Sequence, residues 1–282
     1  MDNILYISDM DGTLLTNGIE VTKKSEEIIN GLIEKGMNFS ISTARTALSA
    51  LPILKNLKIN VPVALMYGAC IYDIANEEYV NVNKIAKLSV QRVFRILKNH
   101  DLSGFVYTFE NGEVKAYYEN LNSEYNKNFV AEREKKYGNK FICIDSFQDL
   151  ADKPIIYYSN CERREVLQDA CEEIALDSTL NTEFYRDIYN PDIYFFELFS
   201  HKASKQNTVE FLKQNYGFEK VICFGDNFAD MPMFEASDES YAVANAKDEV
   251  KSIATGIIKS NDEDGVAHWL QSNYKAQSTK HK

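Results

Sequence analysis

The stretch ILYISDMDGTL, residues 4–14, decides the fold of this 282-residue chain. Ile4 to Ser8 is a short run of β-branched, aliphatic and aromatic side chains, which is typical of a buried strand. The run stops at Asp9, and the polar residues that follow predict a loop. We therefore expect a buried first strand whose carboxyl end presents two carboxylates, those of Asp9 and Asp11.

Strand and helix patterns alternate after this first strand. The segment Lys23 to Lys35 predicts a helix, with Thr22 as its N-cap and Gly36 as its stop. The elements predicted next are a strand at Met37 to Ser42, a helix at Ala44 to Leu57 and a strand at Val61 to Met66. Such alternation indicates right-handed crossovers and a parallel sheet that is covered on both faces.

The pattern changes over residues 82–191, where tyrosines cluster and charged helical runs such as Ala131 to Tyr137 occur. The first pattern then resumes, with strands predicted at Tyr194 to Phe199, Val221 to Phe224 and Tyr241 to Ala244 and a helix at Ser204 to Tyr216. We therefore predict an α/β domain formed by residues 1–81 and 192–282, into which a second, α+β domain of residues 82–191 is inserted.

Composition and charge exclude several classes of protein. The chain has 42 acidic and 31 basic residues, a formal net charge of −11, so its field repels nucleic acid and anionic membranes. Its most apolar stretch, Val61 to Tyr72, is far shorter than the about 20 residues that span a bilayer. No basic leader and no C-x-x-C pair occur, so we expect a cytoplasmic protein with reduced thiols. Oligomeric state stays open.

Polar residues follow the predicted strands at the edge where ligands of open parallel sheets bind. They are Asp9, Asp11 and Gly12 after the first strand, Thr43 and Arg45 after the second, Lys205 at the start of its helix, and Asp226, Asn227 and Asp230 after the strand at Val221. Taken singly, most of them are explained as turn residues or helix caps. Their common position at one edge of the sheet favours a shared function.

This set of residue types suits phosphate chemistry. Several carboxylates at one site need raised pKa values or a bound cation, and an oxygen-rich site suits Mg²⁺. A phosphate group would bind beside the metal, with a hydrogen bond from Thr43 and positive charge from Lys205. The pattern predicts phosphoryl transfer to a carboxylate nucleophile.

The four motifs resemble, in order, those of the haloacid dehalogenase superfamily, in particular its Cof-type (subfamily IIB) phosphatases. The matching residues are Asp9-Met10-Asp11-Gly12-Thr13-Leu14, Thr43, Lys205, and Gly225-Asp226 with Asp230, and further similarity lies at Asn245-Ala246 and Asp264-Gly265-Val266-Ala267. The resemblance covers essentially the whole chain. It implies a Rossmannoid core with an inserted α+β cap that supplies substrate specificity.

The resemblance also implies a role for each matching residue. Asp9 would be the nucleophile that forms an aspartyl-phosphate, and Asp11 would protonate the leaving alcohol and then activate water. Mg²⁺ would be held by the side chains of Asp9 and Asp226 and the backbone carbonyl of Asp11, and Asp230 would ligate through water or orient the other ligands. The predicted phosphate-binding residues are Gly12, Thr43, Arg45 and Lys205.

Three positions depart from the family's usual motifs. Ala44 replaces a glycine, Ala229 replaces an asparagine beside Asp230, and Tyr67 replaces an asparagine that can reach the substrate. Ala229 removes a polar group near the phosphate or metal, which can reduce activity. We take Tyr67 and Asn227 as candidate substrate contacts.

The sequence thus predicts a Mg²⁺-dependent phosphatase of small phosphorylated metabolites, of the sugar phosphate, pyridoxal phosphate or flavin mononucleotide type. A phosphomutase that uses the same aspartyl-phosphate, and a catalytically weak phosphate-binding protein, stay open as alternatives. The phosphatase is favoured because Asp11 is retained. The histidines lack zinc-binding spacing, and no G-x-S-x-G or Walker A motif occurs, which argues against metallopeptidases, serine hydrolases and P-loop NTPases.

Overall fold

The computed structural model describes residues 3–138, 140–187 and 190–274. The chain divides into two compact units, one formed by Met1–Asn81 with Ser204–Lys282 and the other by Val82–Ala203. The inserted unit begins where the sequence predicted, but the chain returns to the first unit at residue 204 rather than 192. Residues 188–189 of the predicted cap and 275–282 of the predicted core lie outside the described residues.

Strands and helices alternate at the start of the chain, as the sequence predicted. This first part contains β1 (Ile4–Ser8), α1 (Lys23–Ile33), β2 (Asn38–Ile41), α2 (Ala47–Leu54), β3 (Val63–Leu65), β4 (Cys70–Asp73) and β5 (Glu78–Val82). The inserted part contains α3 (Lys87–Asn99), β6 (Phe105–Glu110), β7 (Glu113–Tyr118), α4 (Glu124–Tyr137), β8 (Phe141–Cys143), β9 (Ile155–Arg163), α5 (Arg164–Ala175), β10 (Leu180–Arg186) and β11 (Ile193–Ser200). The last part contains α6 (Lys205–Tyr216), β12 (Lys220–Gly225), α7 (Met231–Ala236), β13 (Glu239–Val243), α8 (Asp248–Ile253), β14 (Gly256–Ile258) and α9 (Gly265–Asn273).

The main sheet of the first unit is parallel and has the strand order β14-β13-β12-β1-β2. Ser8, the last residue of β1, pairs with Phe224 on one side and with Ile41 on the other. A parallel bridge between Ser42 and Ala64 continues this arrangement toward β3, which forms a second sheet with β4 and β5. Because these strands end in register, the loops after β1, β2 and β12 leave from one edge of the sheet.

The start of α1 agrees with the sequence prediction, whereas the helix ends at Ile33, two residues before the predicted Lys35. The Thr22 hydroxyl accepts the backbone N–H of Ser25 at 3.0 Å, and Gly36 follows the helix with a φ of 95°. The helix α2 starts three residues later than predicted, since the N–H of Arg45 donates to the Thr43 hydroxyl at 3.2 Å and holds residues 43–45 in a loop. That loop belongs to the candidate site.

The second unit contains a six-stranded sheet in the order β10-β11-β9-β6-β7-β8, which is antiparallel except between β7 and β8. The assignment of Tyr194 to Phe199 to the parallel sheet was wrong, because β11 pairs antiparallel with both β9 and β10. The largely apolar pattern of this strand did not identify the strands with which it pairs. Residues of α3 and α5, among them Phe94 and Leu167, pack in one apolar cluster with Val106 of β6.

No helix among the described residues is long and apolar enough to cross a membrane.

Candidate active site

The loop after β1 is held tightly against β12. The backbone N–H of Asp9 donates to the Phe224 carbonyl at 3.0 Å, which fixes the first residue after the strand. Gly12 turns the loop with a φ of 76°, and a Cβ at this position would lie 2.6 Å from Oδ2 of Asp226. Glycine is needed here for both its backbone conformation and its small size. The predicted phosphate-binding Gly12 therefore lies directly against a predicted metal ligand.

Lys205 joins the loops after β1 and β12. Its Nζ donates to Oδ1 of Asp9 and to Oδ1 of Asp230, each at 2.6 Å, and the side chain is only 4% exposed. The residue occupies the first turn of α6, where the Ser204 side chain caps the helix. Burial alone disfavours the charged amine, but the charges of Asp230 and Asp9 raise the pKa of Lys205. A permanent cation thus lies beside the predicted nucleophile.

Asp230 organises the loop after β12. Its Oδ2 accepts the backbone N–H groups of Asp226 and Asn227, at 2.9 and 3.0 Å, while Oδ1 accepts from Lys205. Asp230 is 1% exposed. It fits in this position because residue 225 is glycine, since a Cβ on residue 225 would lie only 2.6 Å from the Cβ of Asp230. With three donors on its two oxygens, Asp230 is suited to hold the loop and the lysine in place.

Asp226 points toward the loop after β1. Its Oδ1 accepts the hydroxyl of Thr13 at 2.9 Å. Burial, followed by the neighbouring charge of Asp230, raises the pKa of Asp226 to about 7. Burial also raises the pKa of Asp9 well above its ordinary value, with Asp230 and Asp226 adding to the effect and Lys205 opposing it. The positive charge near Asp9 and Asp226 is therefore too small to offset the burial of their carboxylates.

A divalent cation bound between these carboxylates would supply the missing positive charge. Asp9, Asp226 and Asp230 each offer a carboxylate oxygen, and these atoms lie within 4.8 Å of one another. Hard oxygen donors of this kind are the ligands that Mg²⁺ prefers. The donor set and the raised pKa values of Asp9 and Asp226 both fit a bound divalent cation.

Asp11 lies apart from the buried carboxylates. Its side chain is 48% exposed, and its two oxygens accept Nε and Nη2 of Arg45 at 2.7 and 2.6 Å. Arg45, predicted to bind phosphate, thus directs its guanidinium to the predicted general acid and base. Arg45 and Asp11 are therefore in direct contact, which the sequence did not indicate.

The loop after β2 is fixed by the turn that follows β3. Thr43 is 1% exposed, and its carbonyl accepts the backbone N–H of Tyr67 at 3.1 Å. The Arg45 carbonyl accepts the N–H of Met66 at the same distance. Met66, Tyr67 and Gly68 all have positive φ angles, 53°, 55° and 86°. The predicted substrate contact Tyr67 is a buried residue whose backbone shapes the Thr43 loop.

Two polar residues of the site were not assigned a role from the sequence. Thr13 binds Asp226, and the Asn245 side-chain amide donates to the Gly12 carbonyl at 2.7 Å. Thr13 and Asn245 both lie in motifs on which the family resemblance rests. The sequence therefore indicates where these residues stand in the chain, but not which groups they contact. The predicted substrate contact Asn227 is exposed, and its Oδ1 accepts the N–H of Phe228 at 2.8 Å, as a local cap.

Comparison with known proteins identifies relatives that match nearly the whole chain. The sequence profile of a family described as haloacid dehalogenase-like hydrolase matches residues 6–270. Phosphatase YwpJ of Bacillus subtilis is 29% identical over 95% of this chain and 98% of its own length.

Solved structures share the fold. A haloacid dehalogenase-like hydrolase from Bacteroides thetaiotaomicron aligns with a TM-score of 0.78 at 23% identity, over 96% of this chain and 99% of that one. A structure described as a haloacid dehalogenase subclass IIB sugar phosphatase aligns with a TM-score of 0.71 at 19% identity, over 95% and 98% of the two chains.

Proposed function

Because this chain belongs to the haloacid dehalogenase-like hydrolases, we propose that it is a Mg²⁺-dependent phosphatase of small phosphorylated metabolites. The observation that carries the proposal is the contact of Lys205 with Asp9, 2.6 Å from Nζ to Oδ1, at the edge of the parallel sheet. A buried carboxylate paired with a permanent cation is a suitable nucleophile for a phosphate ester, since the cation also attracts the phosphate oxygens.

Asp9 attacks phosphorus in the first half of the reaction. A bond forms between a carboxylate oxygen of Asp9 and phosphorus, and the bond between phosphorus and the ester oxygen breaks. Asp11, two residues along the same loop, gives its proton to the departing ester oxygen, so that an alcohol leaves. The product of this half is an aspartyl-phosphate on Asp9.

Water completes the reaction. Asp11, now ionised, accepts a proton from the water that attacks phosphorus, and the bond to the Asp9 oxygen breaks to release inorganic phosphate. Asp11 suits this alternation because its side chain is half exposed and is not part of the buried carboxylate cluster. The two aspartates thus have separate duties that follow from their different environments.

The chain's own groups hold the phosphate. Lys205 supplies positive charge, and the hydroxyl proton of Thr43 is available to a phosphate oxygen because Thr43 Oγ1 acts as acceptor toward Arg45 N–H. The first turn of α6 adds its dipole. Mg²⁺ would be held by Asp9 and Asp226, with Asp230 behind them, and when bound it neutralises charge on the phosphate.

Phosphate release from a panel of esters tests the proposal. The panel contains sugar phosphates, pyridoxal phosphate, flavin mononucleotide and p-nitrophenyl phosphate, each assayed with Mg²⁺ and with EDTA. We expect release that needs the metal and falls to background in Asp9→Asn, because the amide is a poor nucleophile. Asp248→Asn is the matched control, since that carboxylate is 99% exposed and pairs only with Lys251 at 3.5 Å among the described residues.

Two results would contradict the proposal. Transfer of the phosphoryl group to another position of a sugar, dependent on a bisphosphate activator, would identify a phosphomutase. Tight binding of phosphate esters without turnover by metal-loaded protein would identify a binding protein.

A further inference from the structure

The side chain of Arg45 makes a two-point contact with Asp11. Nε lies 2.7 Å from Oδ2 and Nη2 lies 2.6 Å from Oδ1, so the planar guanidinium matches both carboxylate oxygens. This bidentate geometry fixes the direction of a carboxylate as well as attracting it. Asp11 needs such a restraint because its side chain is 48% exposed, whereas Asp9 and Asp230 are restrained by burial.

Arg45 itself is held at its backbone. Its N–H donates to the Thr43 hydroxyl at 3.2 Å, and its carbonyl accepts the N–H of Met66 at 3.1 Å. Met66 and Tyr67 keep positive φ angles, which residues with a side chain adopt only where their surroundings hold them. The guanidinium therefore extends from a loop that is fixed on both sides, and its side chain is only 17% exposed.

We propose that Arg45 is a positioning residue that aims the Asp11 carboxyl group for proton transfer to the leaving oxygen. This inference rests on the proposed phosphatase function. Asp11 gives its proton to the ester oxygen as the bond from phosphorus to that oxygen breaks, and Arg45 keeps the carboxyl group in line without exchanging a proton. The alternative role for Arg45, binding of the phosphate group, predicts a different kinetic result.

Leaving-group dependence separates the two roles. A p-nitrophenyl ester releases a stable phenolate that needs little protonation, whereas an alkyl ester depends on the general acid. We compare kcat/KM for p-nitrophenyl phosphate and for the best alkyl phosphate in Arg45→Gln, Arg45→Lys and wild type. Since kcat/KM includes leaving-group departure but not the later hydrolysis, it reports the step that Asp11 assists as acid.

Arg45→Gln is expected to lower kcat/KM for the alkyl ester at least about 10-fold more than for the aryl ester, as misplacement of an acid costs up to about 100-fold. Arg45→Lys is expected to show a smaller difference between the two esters, because the ammonium keeps the positive charge but not the two-point contact of the guanidinium. Lys58→Gln, which removes an exposed ion pair with Glu34, is the matched control and should leave the ratio unchanged. An equal loss for both esters, carried by KM, would overturn the proposal.

A second measurement does not depend on catalysis. The Nε–H resonance of Arg45, assigned by its absence in Arg45→Lys, is recorded for wild type and Asp11→Ala. We expect it to move upfield in Asp11→Ala as the hydrogen bond is lost, and an unchanged resonance would refute the pairing. If wild type hydrolyses no ester, the phosphatase proposal fails while the resonance still decides whether Arg45 holds Asp11.

Discussion

Replacement of Gly12 by alanine tests the close approach of the loop after β1 to Asp226. The new Cβ would lie 2.6 Å from Oδ2 of Asp226, and ordinary contact begins at 3.4 Å, so the carboxylate must retreat by about 0.8 Å. Gly217→Ala is the matched control in the same unit. Gly217 has a similar φ of 69°, and nothing lies within 4 Å of the position its Cβ would take.

The magnitude follows from two contributions. Both variants place alanine in the left-handed region, which costs about 1–2 kcal/mol. Gly12→Ala in addition weakens the hydrogen bond from Thr13 to Asp226, which contributes about 1 kcal/mol. We therefore expect a loss of about 2–3 kcal/mol in Gly12→Ala and about 1–2 kcal/mol in Gly217→Ala. Activity should fall about 100-fold in Gly12→Ala alone, because a carboxylate of the site is displaced by close to 1 Å.

Urea unfolding and phosphate release measure the two effects on the same protein samples. Gly217→Ala should be destabilised with full activity per folded molecule, and Gly12→Ala should lose activity while still folded. Wild-type turnover in Gly12→Ala, with a stability equal to that of Gly217→Ala, would refute the inference that residue 12 must be glycine to leave space for the Asp226 carboxylate.

Two further predictions concern charge. Lys205→Met leaves Asp9 and Asp230 buried without their cation and should cost about 3 kcal/mol at pH 8. Urea unfolding at pH 5 should show a smaller loss, because Asp9, whose pKa burial raises well above its ordinary value, takes up a proton more readily there. An equal loss at both pH values would contradict this account. The hydrogen bond from Lys153, with those from Thr108 and Tyr117, lowers the pKa of Glu110 from 4.5 to about 2. The stability this gives is complete above pH 4.5 and lost as the pH falls toward 2, so Glu110→Gln should cost about 2 kcal/mol at pH 7 and almost nothing at pH 2 in the same measurement.

The family and the α/β class could be predicted from the sequence because they depend on local signals. The run Ile4 to Ser8 followed by Asp9 marks a strand that ends in a polar loop, and its β-branched and aliphatic residues form β1. Membership of the haloacid dehalogenase-like hydrolases is confirmed. The prediction that Lys205 lies in the first turn of its helix is also confirmed, since α6 begins at that residue.

The predictions are wrong where a sequence pattern is compatible with more than one strand pairing. Tyr194 to Phe199 was correctly predicted as a strand but assigned to the wrong sheet, since an apolar strand pairs equally well in either. The predicted domain return at residue 192 followed from that assignment, while the structure divides the chain before Ser204.

From the sequence it follows that carboxylates and a hydroxyl stand after strands of the parallel sheet, at Asp9, Asp226 and Thr43, and that Lys205 begins a helix. It does not follow that Lys205 lies at the same edge, because the strand before it, β11, belongs to the other sheet. The pairing of these residues depends on the tertiary structure. Lys205 bridges Asp9 and Asp230, residues 196 and 25 positions away in the chain, and Arg45 faces Asp11 instead of standing apart for a phosphate. Contacts of this kind depend on strand order and on loop conformation, which long-range packing sets and local sequence does not encode.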